Sequence, residues 1–347
     1  MRGRSSVGAL AALALLSGCS IPGSSRPEPD DTAGDLYRVV WPAGLRPPGD
    51  PLTCPGGGQE VATSEALQEA LSTAGPGDVI HLADGEYEGQ FRITTAGSRG
   101  EPVWLCGSPD SVLHSGGAAE GTVLRVLEAS NWNLVGFTVR SGKKGVMVQG
   151  SNELVLQDLT VHDIGDEAVH LKAASSGNVV RGLTIFDTGN RVPEFGEGVY
   201  VGSAESNWCV ETQCLPDRSD RNIIMGNDIS GTTSEAVDVK EGTSGGVVVD
   251  NVIDGGSLAG DANSWVDVKG SRWLVQGNRG HASPGAGFEV QSVVDGWGDG
   301  NVFDGNGGEV GGRYGIDVRG GEDNVVTCSN EFEDVEEQVT NVECTPT

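Results

Sequence analysis

Ser234-Glu-Ala-Val-Asp-Val-Lys-Glu-Gly242 and its near-copy Ser264-Trp-Val-Asp-Val-Lys-Gly270 decide the fold. Both contain Val-Asp-Val-Lys, and their aspartates, Asp238 and Asp267, lie 29 residues apart. Because strand side chains alternate between two faces, the valines are predicted to point inward and the Asp and Lys side chains outward. A repeat interval of roughly 20 to 30 residues is typical of coils that stack on one another. Stacking would place the two aspartates about 5 Å apart, and such destabilising like-charge contacts indicate a functional site.

Two further columns recur at the same interval. Strands of the same type are Gly-Val-Met-Val-Gln (145–149), Ala-Val-His-Leu-Lys (168–172), Gly-Val-Tyr-Val-Gly (198–202), Gly-Phe-Glu-Val-Gln (287–291) and Gly-Ile-Asp-Val-Arg (315–319). A column before tight turns consists of Asn227, Asn251, Asn278, Asn306 and Asn330. Stacked amides can hydrogen-bond along a ladder and so satisfy their polar groups. The two columns predict an all-β solenoid, a right-handed parallel β-helix of roughly eight to ten rungs over residues 76–335.

One helix is predicted at the start of the solenoid, over residues 63–74. Thr63 or Ser64 suits an N-cap, and Leu67, Ala70 and Leu71 share one face of the helix. Such a helix would cap the first coil. Leucine-rich repeats are excluded because their leucine spacing is absent, and a propeller needs four strands in a longer repeat.

The N-terminal residues are predicted to be an address rather than structure. Residues 1–18 combine Arg2 and Arg4 with a short apolar run, which is typical of a cleaved signal segment. Leu16-Ser-Gly-Cys19 resembles a bacterial lipobox, which implies lipidation of Cys19; the alternative is an ordinary secretory signal with an incidental cysteine. Residues 19–50, rich in Pro, Ser, Gly and Asp, are predicted to be a flexible tether before a single domain at 51–347.

Six cysteines remain after Cys19, and an even number in an exported chain indicates disulfides. Their clustering predicts the pairs Cys54–Cys106, Cys209–Cys214 and Cys328–Cys344. The rival interpretation is a zinc site, but the spacings resemble no zinc knuckle.

The formal net charge of −28 becomes −30 once residues 1–18, which carry two arginines and no acidic residue, are removed. This charge argues against binding to nucleic acid or to anionic lipid. It also counts against a polyanionic substrate unless cations or a local basic patch intervene. The chain is expected to be an exported monomer that acts outside the cytoplasm, held at the membrane only by the lipid on Cys19.

The outward strand positions predict a carbohydrate groove. Tyr200, Trp208 and Trp265 are expected to stack on sugar rings, and the other groove residues are expected to be His170, Lys172, Glu289, Gln291 and Arg319. Val239 follows Val201 at an interval of 38 residues, which is longer than the other intervals. The excess, residues 203–218, is predicted to be a loop pinned by Cys209–Cys214 beside the groove.

Two segments resemble parallel β-helix polysaccharide lyases of the chondroitinase B and alginate lyase type. Pro76-Gly-Asp-Val-Ile-His-Leu-Ala-Asp-Gly-Glu-Tyr87 resembles the opening of such a helix, and Glu235-Ala-Val-Asp-Val-Lys240 resembles the segment with the catalytic lysine. The resemblance implies a pectate-lyase-like fold, Lys240 as the proton-abstracting base and Glu235 as a calcium ligand. Lys269 stands where the family has an assisting arginine.

The chemistry of β-elimination fits these residue types. A base must remove the proton beside a uronate carboxylate whose charge is neutralised. Lys269 is expected to lower the pKa of Lys240, while Asp238 and Asp267 would oppose this unless their charge is engaged by Ca²⁺.

Three alternatives remain open. Asp238 and Asp267 could be the carboxylate pair of a glycoside hydrolase, because stacked strands approximate the separation in retaining enzymes. The groove could bind a glycan without turnover, as in an adhesin. The two lysines and two aspartates could also form a purely structural checkerboard of ion pairs.

Overall fold

Short strands rich in valine and isoleucine form three parallel sheets that run the length of the molecule. The structure is a computed structural model that describes residues 37–347. Each coil contributes one strand to each sheet in turn, and the strands of successive coils pair in parallel. The predicted right-handed parallel β-helix is confirmed. It is longer than the predicted eight to ten rungs, because sheet 1 has eleven strands and sheets 2 and 3 have ten each.

The strand bounds are as follows. Sheet 1 consists of Gln59–Val61, Val79–Leu82, Val103–Cys106, Trp132–Val135, Val155–Gln157, Val179–Arg181, Ile223–Met225, Val247–Val249, Leu274–Gln276, Val302–Asp304 and Val325–Val326. Sheet 2 consists of Gly85–Glu88, Ser111–His114, Thr138–Gly142, Thr160–Ile164, Thr184–Phe186, Asp228–Ser230, Val252–Asp254, Arg279–Ser283, Gly307–Val310 and Glu331–Glu333. Sheet 3 consists of Phe91–Ile93, Thr122–Leu127, Lys144–Gln149, Val169–Lys172, Val199–Val201, Val237–Val239, Val266–Val268, Phe288–Val290, Tyr314–Val318 and Gln338–Thr340.

The interior is filled by the inward side chains of all three sheets. Val237 and Val239 are fully buried, as are Val266 and Val268 one coil further on. The predicted asparagine ladder is confirmed: Asn227 Nδ2 donates to Asn251 Oδ1 at 2.8 Å, and the same bond joins Asn251 to Asn278. It continues through Asn306 to Asn330. Each amide thus finds partners inside the turn, as buried polar groups require.

The predicted capping helix is also confirmed, as α1 (Ser64–Thr73). Thr63 is its N-cap, and the threonine side chain accepts a hydrogen bond from the Ala66 amide at 3.2 Å. Leu67, Ala70 and Leu71 are buried, so the helix covers the apolar end of the first coils. The other helical segments are α2 (Trp208–Glu211) and the 3₁₀ turns Pro193–Phe195 and Glu205–Asn207.

The N-terminal segment 37–54, named here the strap, lies against the outer side of sheet 1 and corrects part of the tether prediction. Tyr37 N donates to Pro346 O at 3.0 Å at the C-terminal end, and Leu52 exchanges two hydrogen bonds with Gln157. Between them, Val39, Trp41 and Leu45 pack against Val247, Val249 and Leu274. Residues 37–50 are therefore docked. The rest of the predicted tether, the 1–18 signal segment and Cys19 lie outside the described residues.

All three predicted disulfides are present: Cys54–Cys106, Cys209–Cys214 and Cys328–Cys344. Disulfides persist in oxidising compartments, so they indicate an exported protein. Among residues 37–347, no helix has the length and apolar character needed to cross a bilayer.

Candidate functional site

One outward side chain per coil forms a continuous column on sheet 3. Register pairs Tyr200 with Asp238, Asp238 with Asp267 and Asp267 with Glu289. The complete column is Arg92, Arg125, Met147, His170, Tyr200, Asp238, Asp267, Glu289 and Asp317. The predicted stacking of the two aspartates is confirmed. Their predicted exposure is wrong, because each is only 2% exposed beneath the lysines of the next column.

Two lysines enclose Asp238. Lys240 Nζ lies 2.6 Å from Asp238 Oδ2, and Lys269 Nζ lies 3.0 Å from Asp238 Oδ1. Lys269 also contacts Asp267, whose Oδ2 accepts a hydrogen bond from Gln291 Nε2 at 3.0 Å. The other Asp267 oxygen, Oδ1, is buried without a hydrogen-bond partner. The checkerboard of ion pairs therefore exists, but it leaves one carboxylate incompletely satisfied.

Burial and these contacts set the charges of the four groups. Burial favours the neutral form of Asp238, but Lys240 and Lys269 outweigh it and lower the pKa of the Asp238 carboxyl. Burial likewise opposes the charge of Lys240, yet Asp238 outweighs it and raises the lysine pKa. The pKa of Lys240 is therefore raised overall, which is the effect predicted for Asp238 and Asp267 and the opposite of the one predicted for Lys269. The pKa of Asp267 is raised, by its own burial and then by Asp238, against the opposing charge of Lys269.

A second column of carboxylates lies just before the strands of sheet 3. Glu167, Glu197 and Glu235 occupy successive coils, linked by backbone bonds from Ala168 N to Glu197 O and from Gly198 N to Glu235 O. Burial raises the pKa of Glu167, but hydrogen bonds and charges from His170 and Lys144 outweigh it and hold that pKa at about 2. Glu197 is 7% exposed, and burial together with Asp238 raises its pKa to about 8.

Three carboxylates meet where the two columns adjoin. One oxygen from each of Glu197, Glu235 and Asp238 lies within 4.8 Å of the others. Calcium binds several carboxylate oxygens, so this donor set fits the ion. The predicted ligands Glu235 and Asp238 belong to the cluster, but Asp267 does not. Glu197 was missed. It stands three residues before Tyr200, as Glu235 stands three before Asp238, and this repeated offset could have revealed it.

His170 and Tyr200 continue the site toward the N terminus. His170 Nδ1 lies 2.9 Å from Glu167 Oε1, and Nε2 lies 2.8 Å from the Gly202 carbonyl oxygen. The imidazole packs on the Tyr200 ring with centroids 4.2 Å apart. Lys240 Nζ lies 5.2 Å from the centroid of the same phenol ring. Burial, then the negative charge of Asp238, raises the pKa of Tyr200 well above its ordinary value, so the phenol keeps its proton.

Two of the three predicted sugar-stacking residues are corrected. Trp265 is fully buried and packs edge-on against Phe288 in the core. Its indole fits inward because a Cβ at Gly280 or Gly287 would lie only 2.6 Å from the ring. Trp208 is 8% exposed, and its indole nitrogen donates to Ser203 O at 2.9 Å beneath the loop. Tyr200 alone of the three lies on the outward column.

The remaining predicted groove residues lie on the same face with their charges paired. Lys172 Nζ contacts Glu211 Oε1 at 2.7 Å. Arg319 contacts Glu289 and, at 2.8 Å, Asp317, while Gln291 Nε2 donates to Glu289 Oε2 at 3.0 Å.

The predicted loop at 203–218 docks beside this face. Asp217, another residue that sequence reasoning missed, is fully buried and accepts hydrogen bonds from Ala173 N, Ala174 N and Ser203 Oγ at 2.7–2.9 Å. Glu205 N donates to Glu241 Oε1 at 2.6 Å. The loop is thus tied to the coils on both sides of Tyr200.

The fold and this outward ion column define a solenoid of the right-handed β-helix class. The family model "right handed beta helix region" matches residues 122–290. Comparison with curated protein sequences gives no match. The crystal structure of an alginate lyase from Paenibacillus sp. str. FPU-7 is 31% identical, with a TM-score of 0.76, covering 82% of this chain and 98% of that one. At this identity and coverage, the chain belongs to the family of β-helix polysaccharide lyases.

Two more distant structures show the same fold. A mannuronic acid specific polysaccharide family 6 lyase from human gut microbiota is 17% identical, with a TM-score of 0.62, covering 81% of this chain and 67% of that one. A pectate lyase is 15% identical, with a TM-score of 0.53, covering 76% of this chain and 72% of that one.

Proposed function

We propose that this protein is an exported lyase that cleaves a uronic-acid-containing polysaccharide by β-elimination at Lys240 and Tyr200. The observation that carries the proposal is the position of Lys240. Its ammonium lies between Asp238 and the Tyr200 ring, beside the cluster of Glu197, Glu235 and Asp238. The similarity to the Paenibacillus alginate lyase over nearly its whole length supports the reaction class. Attachment to the membrane through Cys19 is part of the same proposal.

Glu197, Glu235 and Asp238 are the residues that would hold Ca²⁺. When bound there, the ion would supply positive charge that neutralises the substrate carboxylate and so acidifies the adjacent carbon. The cluster also affects Lys240. Asp238 is the group that raises the pKa of Lys240, so engagement of its oxygens elsewhere would leave the amine easier to deprotonate.

Lys240 and Tyr200 then divide the proton transfers. The neutral amine of Lys240 removes the proton from carbon 5, the electron pair forms the double bond to carbon 4, and the bond from carbon 4 to the glycosidic oxygen breaks. Tyr200, which keeps its proton, donates it to the departing oxygen. The new ammonium lies over the same ring that has become a phenolate, so one proton transfer from Lys240 to Tyr200 restores both groups. Lys269 keeps its charge and anchors Asp238 and Asp267.

A glycoside hydrolase is the second candidate, and one observation favours it. Asp238 and Asp267 are in register on adjacent coils, and their environments shift their pKa values in opposite directions. Such a split is the signature of an acid and base pair. In this mechanism Asp267 would be the proton donor and Asp238 the ionised partner.

A digestion panel separates the two candidates. Purified protein would be incubated with polymannuronate, polyguluronate, polygalacturonate and a neutral glucan, each with calcium chloride or EDTA. A lyase gives products with the ultraviolet absorbance of an unsaturated uronate and no added water, and EDTA should suppress them. Products that have each gained one water and lack that absorbance would identify a hydrolase and contradict the proposal.

A further inference from the structure

Two arginines stack on the site face of sheet 3, toward the capping helix. Arg92 and Arg125 are paired in register on adjacent strands, in the same outward column as His170 and Tyr200. Side chains directly opposite each other have Cβ atoms about 5 Å apart, and like charges in such pairs destabilise a sheet. In the described part of the chain, the contacts of the two side chains show no stabilising interaction large enough to offset this repulsion.

Neither guanidinium is paired with a carboxylate in the part of the chain that the structure describes. Within residues 37–347, no carboxylate forms a salt bridge with Arg92 or Arg125. Among the same residues, the Arg125 side chain donates one hydrogen bond, to Thr122 Oγ1 at 3.1 Å. The pair stands out because two cations are stacked in register in a chain with a formal net charge of −28, where carboxylates outnumber basic groups by more than two to one.

The column that contains these arginines changes in charge along its length. From Tyr200 toward the C terminus it presents four acidic side chains in succession, Asp238, Asp267, Glu289 and Asp317. From Tyr200 toward the N terminus it presents His170, Met147 and then the two arginines. The acidic side chains on the C-terminal side are paired with Lys240, Lys269 and Arg319, whereas the two arginines have no carboxylate partner among the described residues, so a polyanion lying along the sheet is attracted toward the arginines.

We propose that Arg92 and Arg125 form a distal subsite that binds uronate carboxylates of a substrate chain lying from Tyr200 toward α1. This inference rests on the proposed function. It adds the direction in which the substrate chain lies and a minimum length for the substrate. Arg125 is three coils from Tyr200, about 14 Å at the spacing of paired strands. The guanidinium fork matches a carboxylate in two parallel hydrogen bonds. Short oligosaccharides bound only at the reaction centre do not reach the subsite.

The test compares Arg92→Gln/Arg125→Gln with a matched control, Arg279→Gln/Arg313→Gln. The control removes the same charge from an exposed arginine on sheet 2 and another next to the C-terminal part of sheet 3. The kcat/KM would be measured on the preferred polyuronate and on its oligosaccharides of increasing length. The distal variant should lose about tenfold on long chains for each arginine, while kcat on the shortest cleaved oligosaccharide stays unchanged. The control should keep the wild-type preference for long chains.

Thermal unfolding keeps the interpretation clear. Because the two arginines repel each other, their removal should leave the unfolding temperature equal to or slightly above that of wild type. A distal variant that retains the full wild-type preference for long chains would overturn the subsite while leaving the lyase proposal intact.

If the lyase proposal itself is wrong, the subsite can still be tested, but by binding instead of by turnover. If wild-type protein cleaves no polyuronate, titration calorimetry with the same polymers still tests the subsite. Binding that is lost only in the distal variant would support it. Binding that is equal in all three proteins, or absent from wild type, would overturn it.

Discussion

Two ladders of polar side chains run along this solenoid, and they differ in whether stacking satisfies them. In the asparagine ladder each amide both donates and accepts, so Asn251 bonds to Asn227 on one side and to Asn278 on the other. In the acidic column on sheet 3, Asp238 and Asp267 can only repel each other, and Lys269 must bridge them. Repetition of a neutral donor and acceptor therefore builds the fold, whereas repetition of a charge destabilises it and indicates a site under functional selection.

Replacement of Lys240 should produce the largest effect on the charged side of this comparison. Lys240→Ala is expected to reduce eliminative turnover by about a thousandfold, since a general base contributes about 10²–10⁴. Turnover would be followed by the absorbance of the unsaturated product. Lys240→Arg is the matched variant, because arginine can still pair with Asp238 but does not release its proton. It should fold like wild type and be as inactive as the alanine variant; an active Lys240→Arg protein would show that Lys240 is not the base.

Interruption of the neutral ladder should affect stability rather than chemistry. Asn251→Ala leaves the Asn227 amides and the Ile224 carbonyl without their buried partners, so the free energy of unfolding should fall by about 3 kcal/mol. Chemical denaturation measures this loss, and kcat of the folded fraction should be unchanged. Asn190→Ala, which removes an exposed asparagine, is the control and should change stability by less than about 0.5 kcal/mol. Equal losses for the two variants would contradict the role of the ladder.

The pH dependence of stability gives a finer test of the acidic cluster. The pKa of Glu197 is raised to about 8 in the folded protein, so the folded state binds the proton more tightly than the unfolded state. The resulting stabilisation is complete at pH values below the pKa of Glu197 in the unfolded chain. It is lost as the pH rises toward 8. In EDTA, titration of Glu197 should therefore lower the free energy of unfolding by up to about 1.4 kcal/mol per pH unit in this window, in addition to the slope from Asp267, whose pKa is raised to about 7.

Glu197→Gln should remove most of the slope between about pH 7 and pH 8, above the raised pKa of Asp267, which is about 7, and Glu331→Gln, at an exposed glutamate, should not. Calcium should flatten the slope in wild type by stabilising the ionised cluster. A wild-type slope that persists in Glu197→Gln would assign the titration to another group.

The fold was predictable because its signals are local and repeated. The valine pairs around Asp238 and Asp267 set the register, and the asparagines from Asn227 to Asn330 set the turns. Trp265 was not predictable in the same way. It lies just before a strand, where alternation no longer fixes direction, and the room for its indole comes from Gly280 and Gly287 on other segments.

The sequence predicted which residues lie on the face of the site, but it did not predict their charge states. Sequence register placed Lys240 beside Asp238 and Lys269, yet the sign of the lysine pKa shift depends on the balance among burial, the direct ion pair with Asp238 and the charges of Asp267 and Glu197. The strap was missed because its Pro and Gly content resembles a linker. Val39, Trp41 and Leu45 were the apolar signal that it would dock.

The strap also determines how the molecule would carry a mechanical load. Tyr37 lies beside Pro346, so a pull on the chain before Tyr37 acts at the C-terminal end of the solenoid. The strap would then peel from sheet 1 by breaking contacts such as Arg221 to Gly44 and Arg181 to Gly49, one after another. Peeling would stop at the Cys54–Cys106 disulfide, after the release of slack on the order of 50 Å. The coils that carry Tyr200 and Lys240 would remain wound, so the proposed catalytic face could yield to drag on a polysaccharide without unfolding.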